Sequence, residues 1–338
     1  MRLFLLLIGT ALAVNIDKKL PLYEAEKLTG EDLVAYLKKH QKLFEVGETP
    51  EGNRGMQHLM DPKYLRAIRG APVKTVDIGD EQLPENFDAR DKWPNCISIP
   101  YIRDQSNCGS CWAVSAASAM SDRLCVQSEG KFNSYLSDTD ILACCGSDCG
   151  YGCEGGYPIE AWKYLVKYGV VTGGRYREKG VCKPYAFHPC GKPVEGEIYY
   201  GECPTSTWPT PRCEKFCQRG YPILWKQDKH YGISAYKVAF DETEIMKEIY
   251  KNGPVQASFE VYADFREYKG GIYHHTAGSF SGGHAVKLLG WGVENGEKYW
   301  LLANSWGKKW GENGGYFRML RGVNECNMEN DTTAGMFY

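Results

Sequence analysis

The amino-acid sequence predicts an α+β fold with two lobes. A run of small and apolar residues from Cys111 to Leu124 is typical of a tightly packed, buried helix. The last third of the chain instead has the apolar patterns of β-strands, which cover residues 255–262, 271–274, 284–293 and 298–305. Helices in the front part and strands in the back part indicate an α+β architecture.

Length and composition limit the class of protein. The 338 residues are enough for one large domain or two, and 43% apolar with 24% charged residues is ordinary for a globular chain. This composition excludes a disordered or low-complexity protein. A net charge of −2 gives no strong attraction to nucleic acid or to an anionic membrane, so neither is expected as a partner.

The cysteines are the most informative residue type. There are 14, and none precedes Cys96. Such density predicts either disulfides in an oxidising compartment or metal ligands in the cytosol. Met1-Arg2, an apolar run and Ala11-Leu12-Ala13 are typical of a secretory signal peptide over residues 1–14, although a buried N-terminal helix is the alternative. The run is too short to span a bilayer. A secreted or lysosomal protein with disulfides is therefore expected.

Residues 15–82 differ from the rest of the chain. They lack Cys and Trp and are highly charged, and an amphipathic helix is predicted from about Thr29 to Phe44. Residues 72–82 are predicted to be an extended linker. We interpret 15–82 as a pro-segment and 83–338 as the mature domain, with a permanent helical subdomain as the alternative.

Two more features organise the body of the chain. A helix is predicted at 241–251, because Asp241 can cap it and Asn252-Gly253-Pro254 can end it. Residues 144–217 are dense in Cys, Gly and Pro, so they are expected to be mostly loop.

A C-x-x-C pair, Cys108 and Cys111, allows three interpretations. A zinc site would need a second such pair, and a thioredoxin-like redox pair would need a βαβ setting. The third interpretation is a nucleophile, because Cys111 begins the small-residue helix and the positive end of the helix dipole stabilises a thiolate. The backbone N–H of Cys111 and the amide of Gln105 could then donate to an oxyanion.

A thiolate nucleophile needs an imidazole partner. His230, His274 and His275 are expected to lie on the surface. His284 begins a strand, and a hairpin turn at 295–296 brings that strand back toward Asn304. Strict alternation would put the two side chains on opposite faces, so a bulge is predicted at Gly290 or Gly292. The Asn304 carbonyl could then orient the imidazole, with Trp306 shielding their hydrogen bond.

Residues 108–112, Cys-Gly-Ser-Cys-Trp, are the signature of papain-like proteases. Over nearly its whole length the chain resembles the cathepsin B group of that family, notably at 226–232 and 290–296. The resemblance implies a papain-like fold, with a helical lobe bearing the nucleophile, a barrel-like strand lobe and the active-site cleft between them. Carried over by position, it implies catalytic roles for Gln105, Cys111, His284 and Asn304. It also implies substrate contacts at Gly155, Gly156 and Trp306.

The resemblance further implies six disulfides and a loop over the cleft. The implied pairs are Cys96–Cys125, Cys108–Cys153, Cys144–Cys213, Cys145–Cys149, Cys182–Cys217 and Cys190–Cys203, which leave Cys111 and Cys326 free. Residues 190–203 match the loop that occludes the primed end of the cleft in the cathepsin B group. The group's loop carries two adjacent histidines that bind a substrate's C-terminal carboxylate, one of them pairing with an Asp matched by Asp104. No His lies in this loop, so we expect weak removal of C-terminal dipeptides.

Asp331 matches the acidic residue at the base of the group's S2 pocket. It is expected to accept a basic side chain at P2, the second residue before the scissile bond, as well as an apolar one. Glu329 is the fallback if the register slips, and a solvated acidic residue is the alternative interpretation. Asn330 begins a glycosylation sequon, although a glycan there would crowd the pocket.

The combined prediction is a secreted or lysosomal cysteine endopeptidase made as a zymogen. Its expected partners are protein and peptide substrates, its own pro-segment as inhibitor and cystatin-type inhibitors. We expect a monomer without cofactor or metal. The rivals are a non-catalytic peptide-binding relative and a disulfide oxidoreductase that uses Cys108 and Cys111. The first is disfavoured because all four catalytic residue types are present, and a single reactive thiol would exclude the second.

Overall fold

The computed structural model describes residues 16–47, 49, 53, 55–56, 58–66, 69–191 and 198–338. The signal-peptide prediction and the centre of the 190–203 loop lie outside these residues. The described α-helices are α1 Leu22–Ala25, α2 Gly30–His40, α3 Ala89–Lys92, α4 Cys111–Gln127, α5 Asp138–Cys144, α6 Pro158–Tyr168 and α7 Glu242–Asn252. The strands are β1 Phe44–Val46, β2 Val73–Lys74, β3 Phe87–Asp88, β4 Ser234–Val238, β5 Val255–Tyr262, β6 Tyr268–Tyr273, β7 Phe280–Glu294, β8 Glu297–Ala303, β9 Tyr316–Leu320 and β10 Thr332–Met336. In the described part of the chain, no helix is both long and apolar enough to cross a membrane.

The described strands form one mixed sheet in the order β1-β6-β9-β8-β7-β5-β10-β4-β2, with β3 paired to β7. The predicted hairpin of β7 and β8 is confirmed, and its turn residues Asn295 and Gly296 both have positive φ. A bulge is confirmed in β7, but the register shifts against β8 between Leu288 and Gly290, so the extra residue is Leu289 and not the predicted Gly290 or Gly292. This extra residue changes which side chains share a face of the hairpin.

The helical lobe is built around α4, which is buried along almost its whole length. The helix begins at Cys111 as predicted, and its small side chains allow α5 and α6 to pack closely against it. The expectation that 144–217 would be mostly loop is wrong for α6. This helix begins with Pro158 at its first position and buries Ala161, Trp162 and Leu165 at helical spacing.

The N-terminal segment, residues 16–82, packs along the body and adds a strand at each end of the sheet. The buried face of α2 joins the core of the strand lobe. Strand β1 then pairs antiparallel with β6, and β2 pairs parallel with β4. Between these two strands the chain crosses the helical lobe, where Met60, Tyr64 and Leu65 share a core cluster with Cys111.

Six disulfides join the described cysteines. Their pairs are Cys96–Cys125, Cys108–Cys153, Cys144–Cys213, Cys145–Cys149, Cys182–Cys217 and Cys190–Cys203, the same pairs that the resemblance implied. Cys111 and Cys326 are the free cysteines. Five of the bridges join cysteines that are 13 to 69 positions apart, and the bridges that close the longer loops constrain the unfolded chain most.

A buried arginine ties α4 to the strand lobe. The Arg123 guanidinium donates to Glu248 Oε1 at 2.6 Å, and both side chains are fully buried. It also donates to the carbonyl oxygens of Gly335 at 2.8 Å and Gly253 at 3.0 Å, and to the Tyr236 hydroxyl at 3.0 Å. One side chain therefore holds the nucleophile helix against α7, β4 and β10.

We expect Arg123→Met to lower the free energy of unfolding by about 3–5 kcal/mol, because it leaves the Glu248 carboxylate buried without its partner. Urea unfolding in a Cys111→Ala background, with the disulfides intact, measures this. The double variant Arg123→Met/Glu248→Met should recover part of the loss, since both charges are then removed. Arg219→Met, at an exposed position, is the matched control. An Arg123→Met protein as stable as that control would contradict this role.

Candidate active site

Cys111 is the first residue of α4 and is completely buried. Its position at the helix N-terminus leaves its own backbone N–H and that of Trp112 directed toward the sulfur. The backbone N–H of Ala285 also reaches the sulfur from β7. Because Ala285 follows His284, this contact brings the candidate nucleophile and the candidate base together at the junction of the two lobes.

His284 and Asn304 share one face of the hairpin because of the bulge. On the N-terminal side of the bulge, Lys287 of β7 lies opposite Ala303 of β8. Continued by three residues, this register sets residue 284 opposite residue 306. The side chains of residues 284 and 304 therefore project from the same face of the hairpin. His284 Nε2 lies 2.7 Å from Asn304 Oδ1. His284 Nδ1 is buried and has no hydrogen-bond partner among the described residues. The imidazole is thus oriented at one nitrogen and available at the other.

Trp306 covers the His284–Asn304 pair. Its ring centroid lies 5.0 Å from that of His284, and the indole is 5% exposed. A polar interaction under such a cover is stronger than the same interaction in water.

Gln105 is held by three hydrogen bonds made at the two ends of its side-chain amide. Its Oε1 accepts from the Ser305 hydroxyl at 2.7 Å, so its Nε2 must be the donating end. Nε2 donates to the carbonyl oxygen of Cys108 at 2.9 Å and to that of His58 at 3.4 Å. The sequence analysis missed Ser305, although its place directly after Asn304 could have suggested a supporting role.

Main chain of the N-terminal segment covers this site. The N–H and carbonyl of Met60 pair with the carbonyl and N–H of Gly283, at 2.9 Å and 2.8 Å. Gly55 lies against Trp306 so closely that a Cβ there would overlap the indole ring. At the other end, Tyr64 packs on Gly155, where a Cβ would lie 2.7 Å from the Tyr64 ring. The segment therefore runs along the cleft from Trp306 to Gly155.

Burial under the segment shifts the pKa values of both Cys111 and His284. It raises the pKa of the Cys111 thiol to about 12, although backbone hydrogen bonds from Ala285 and Trp112 act against it. It lowers the pKa of the His284 imidazole to about 4, although the hydrogen bond to Asn304 favours the protonated ring. In this form both groups are neutral at mildly acidic and neutral pH. The thiolate–imidazolium pair predicted from the sequence requires water to reach the site.

Asp331 and Glu329 are both buried but have different surroundings. Asp331 Oδ2 accepts from the backbone N–H of Arg66 at 2.8 Å, and Oδ1 pairs with the Lys237 ammonium. Glu329 instead accepts from Trp300 Nε1 at 2.9 Å and from backbone N–H groups of the 322–324 turn. Glu329 thus has a structural role. Asn330 is exposed, and its glycosylation stays a prediction.

Ser106 supports the base of the 190–203 loop. Its hydroxyl accepts from Trp208 Nε1 at 2.9 Å and lies 3.1 Å from the Cys190 sulfur. Ser106 has a positive φ of 57°, a backbone conformation that favours glycine. Its hydroxyl makes a contact with the loop that glycine could not make.

Comparisons with known proteins agree on the family. The papain family cysteine protease model matches residues 83–336. The chain is 51% identical over 322 residues to cathepsin B-like cysteine proteinase 1 of Haemonchus contortus, covering 95% of this chain and 92% of that protein. It is 48% identical over 337 residues to cathepsin B-like cysteine proteinase 5 of Caenorhabditis elegans, and this match covers 98% of this chain and 96% of that protein. The solved structure of proCathepsin B S9 from Trypanosoma congolense aligns with a TM-score of 0.75 and 34% identity, covering 91% of this chain and 98% of that one. With the match spanning the nucleophile helix and the hairpin alike, the chain belongs to the papain family of cysteine proteases and, within it, to the cathepsin B-like proteinases.

Proposed function

We propose that this cysteine peptidase is an endopeptidase of the secretory pathway, secreted or lysosomal, which hydrolyses protein substrates with Cys111, His284 and Asn304. The observation that carries the proposal is the 2.7 Å contact from His284 to Asn304, made next to Ala285, whose backbone N–H is directed at the Cys111 sulfur. This arrangement supports a site that combines a nucleophile, a base and an orienting group.

The proposed reaction follows from these positions. The Cys111 thiolate attacks the carbonyl carbon of the scissile bond, and the resulting oxyanion accepts hydrogen bonds from Gln105 Nε2 and the Cys111 backbone N–H. Protonated His284 then gives its proton to the departing amine, which leaves a thioester on Cys111. Water, deprotonated by His284, attacks the thioester and releases the carboxylic acid. Asn304 keeps the imidazole ring in place through both transfers.

Substrate is proposed to lie where the N-terminal segment now lies. Gly155 and Gly156 would let an extended peptide approach closely because neither residue has a side chain to block it. The N–H and carbonyl of Gly155 are already bonded to Gly152 and Tyr151, so Gly156 is proposed to supply the backbone hydrogen bonds. Trp306 would contact the leaving-group side, and Asp331 would line the P2 pocket. We expect the freed enzyme to act as a monomer and to be open to cystatin-type inhibitors at the same cleft.

Residues 15–82 are proposed to be the pro-segment, which inhibits by occupying the cleft. Several contacts that hold it involve carboxylates of the body, including Glu260 with Arg66 at 2.8 Å and Glu160 with Arg69 at 3.0 Å. Acid is proposed to trigger release of the docked segment. Cleavage near Leu83 would then release the mature domain, 83–338.

The 190–203 loop is proposed to leave carboxypeptidase activity weak. Its sequence contains no imidazole, and its Glu195, Glu197 and Glu202 side chains would repel a substrate's C-terminal carboxylate. The contacts from Ser106 hold only the base of the loop.

Cys111→Ala should abolish peptide hydrolysis by the trimmed enzyme, because the covalent step is lost. Asn304→Ala should lower kcat about 10- to 100-fold, since the imidazole is no longer held in position. A fluorogenic peptide assay after removal of residues 1–82 measures both. Cys326→Ala is the matched control, because it removes the other free thiol. Appreciable turnover by Cys111→Ala, or inactivation by Cys326→Ala, would contradict the assignment.

In a Cys111→Ala protein, acid should loosen the docked pro-segment partly through His284, because no thiol is left to give its own proton to the released imidazole. Burial in the docked state lowers the pKa of this imidazole to about 4, so the released state binds more protons as pH falls from about 6.5 toward 4. Docking is therefore stabilised above this range and loses that stability within it. Hydrogen exchange at the 58–66 segment, corrected for intrinsic rates in a Cys111→Ala protein, should rise as pH falls through this window.

His284→Gln should flatten that pH dependence, because the titrating group is gone. His275 has the opposite effect. Although burial disfavours its charged form, hydrogen bonds to Asp264 and Glu26 raise its pKa, and its Nε2 lies 3.3 Å from Glu26 of the pro-segment. His275→Gln should therefore make opening easier at mildly acidic pH. Corrected exchange that is equal from pH 7 to pH 4 would refute the linkage.

Release of C-terminal dipeptides should be slow compared with internal cleavage. Lys192→His together with Pro193→His should raise it, by supplying donors for the carboxylate. Mass spectrometry of a peptide with a free C-terminus measures dipeptide release, and the same peptide with an amidated C-terminus is the control. Rapid dipeptide release by the unmodified enzyme would show that the loop needs no histidine.

A further inference from the structure

Lys237 and Asp331 form an ion pair in the wall of the cleft. In the sheet Lys237 of β4 lies opposite Thr333 of β10. Asp331 is two residues before Thr333 and so projects to the same face, within diagonal reach of the lysine. The ammonium bonds the carboxylate, and the two side chains are 8% and 3% exposed. Nothing in the sequence indicated this pair.

The ion pair lies beside the catalytic hairpin. The backbone N–H of Ser258 donates to the Asp331 carbonyl at 2.9 Å, and Ser258 is paired with Ala285, the neighbour of His284. The pro-segment fills the adjoining space. Leu65 lies against Gly283, where a Cβ would approach it to 3.0 Å, and shares the cluster of Ala285 and the nucleophile. The next residue's N–H bonds Asp331. A leucine side chain therefore occupies the pocket that Asp331 borders.

The charge at Asp331 is the sum of the Asp331 and Lys237 charges. A lone buried carboxylate would attract a cationic substrate side chain strongly. A carboxylate already bonded to an ammonium offers an incoming cation little, because Lys237 repels it at short range. The charge of Asp331 is therefore largely compensated, and the side chain that now occupies the pocket is apolar.

The contacts of Arg66, a cation of the proposed pro-segment, support the view that the charge of Asp331 is compensated. Although the Arg66 backbone touches Asp331, its guanidinium binds Glu260 at 2.8 Å instead. Glu260 pairs with Gly283 in the sheet and is partly exposed. The Arg66 guanidinium, whose backbone lies next to Asp331, thus binds Glu260 and not the carboxylate that is already paired with a lysine.

We propose that Lys237 is a specificity-determining residue, which neutralises Asp331 and makes the P2 pocket select apolar side chains. This inference rests on the proposed function, in that the pocket is taken to receive P2 of a substrate. It replaces the expectation that Asp331 would bind a basic P2 side chain as well as an apolar one. The family's acidic position is present, but its charge is compensated within this chain.

The test uses trimmed enzyme and three peptides that differ only at P2, which is Phe, Arg or Glu. The unmodified enzyme should prefer Phe to Arg by about tenfold or more in kcat/KM. Lys237→Met should raise the Arg-to-Phe ratio by about tenfold, since one charge-assisted contact becomes available. Asp331→Asn should instead raise the Glu-to-Phe ratio, because the ammonium is then unpaired. Lys226→Met, at an exposed position, should leave both ratios unchanged.

The outcomes separate this inference from the proposed function. If the unmodified enzyme cleaves the Phe peptide and Cys111→Ala does not, the proposed function is supported whatever the P2 ratios are. If the unmodified enzyme cleaves none of the three peptides, the proposed function is overturned. An unmodified enzyme that cleaves Arg and Phe peptides equally would overturn the role of Lys237. So would unchanged ratios in both variants. If Lys237→Met fails to fold, the Glu-to-Phe ratio of Asp331→Asn decides.

Discussion

The pairing of Met60 with Gly283 is the contact on which the proposed inhibited state depends. Two main-chain hydrogen bonds attach the N-terminal segment to the strand that carries His284, one residue from this proposed base. They lay the segment across Cys111 and exclude water from both side chains. Burial then raises the pKa of the thiol and lowers the pKa of the imidazole, which holds both groups neutral, so the proposed inhibition would be electrostatic as well as steric. Glycine at 283 permits this approach, because a side chain there would meet Leu65.

The same strand also organises the body of the enzyme. β7 pairs with β5 on one side and with β8 on the other, so His284 is positioned by the middle of the sheet. The bulge before Gly290 turns Asn304 to the face of His284, and Arg123 holds the nucleophile helix against the opposite part of the sheet. The pro-segment adds strands to both ends of this frame. Removal of the proposed pro-segment would therefore take away edge strands and leave the sheet that positions His284 in place.

The features predicted from sequence are those with local signals. The small residues of α4 indicate a buried helix, and Asn295-Gly296 indicates the hairpin turn. The bulge is predicted because strict alternation would put His284 and Asn304 on opposite faces, and only an extra residue brings them to the same face. Helix α6 was missed because eleven helical residues stand among glycines and cysteines that suggested loop. His275 was expected at the surface, but its side chain is mostly buried against Asp264 and Tyr262. Its burial depends on chain segments distant in sequence, as does the Lys237–Asp331 pair, and no local pattern reports such contacts. The disulfide pairs came from the resemblance, because spacing alone leaves many connectivities open.

The rate at which iodoacetamide alkylates Cys111 tests most directly the claim that the pro-segment holds the site neutral and buried. The full-length protein and the trimmed enzyme are compared at pH 6 to 8, and the modified residue is identified by peptide mass. The thiolate is the reacting species, and a thiol with a pKa of about 12 supplies very little of it. The account predicts slow alkylation of Cys111 in the full-length protein and alkylation faster by at least about 100-fold after trimming. Equal rates in the two forms would contradict it.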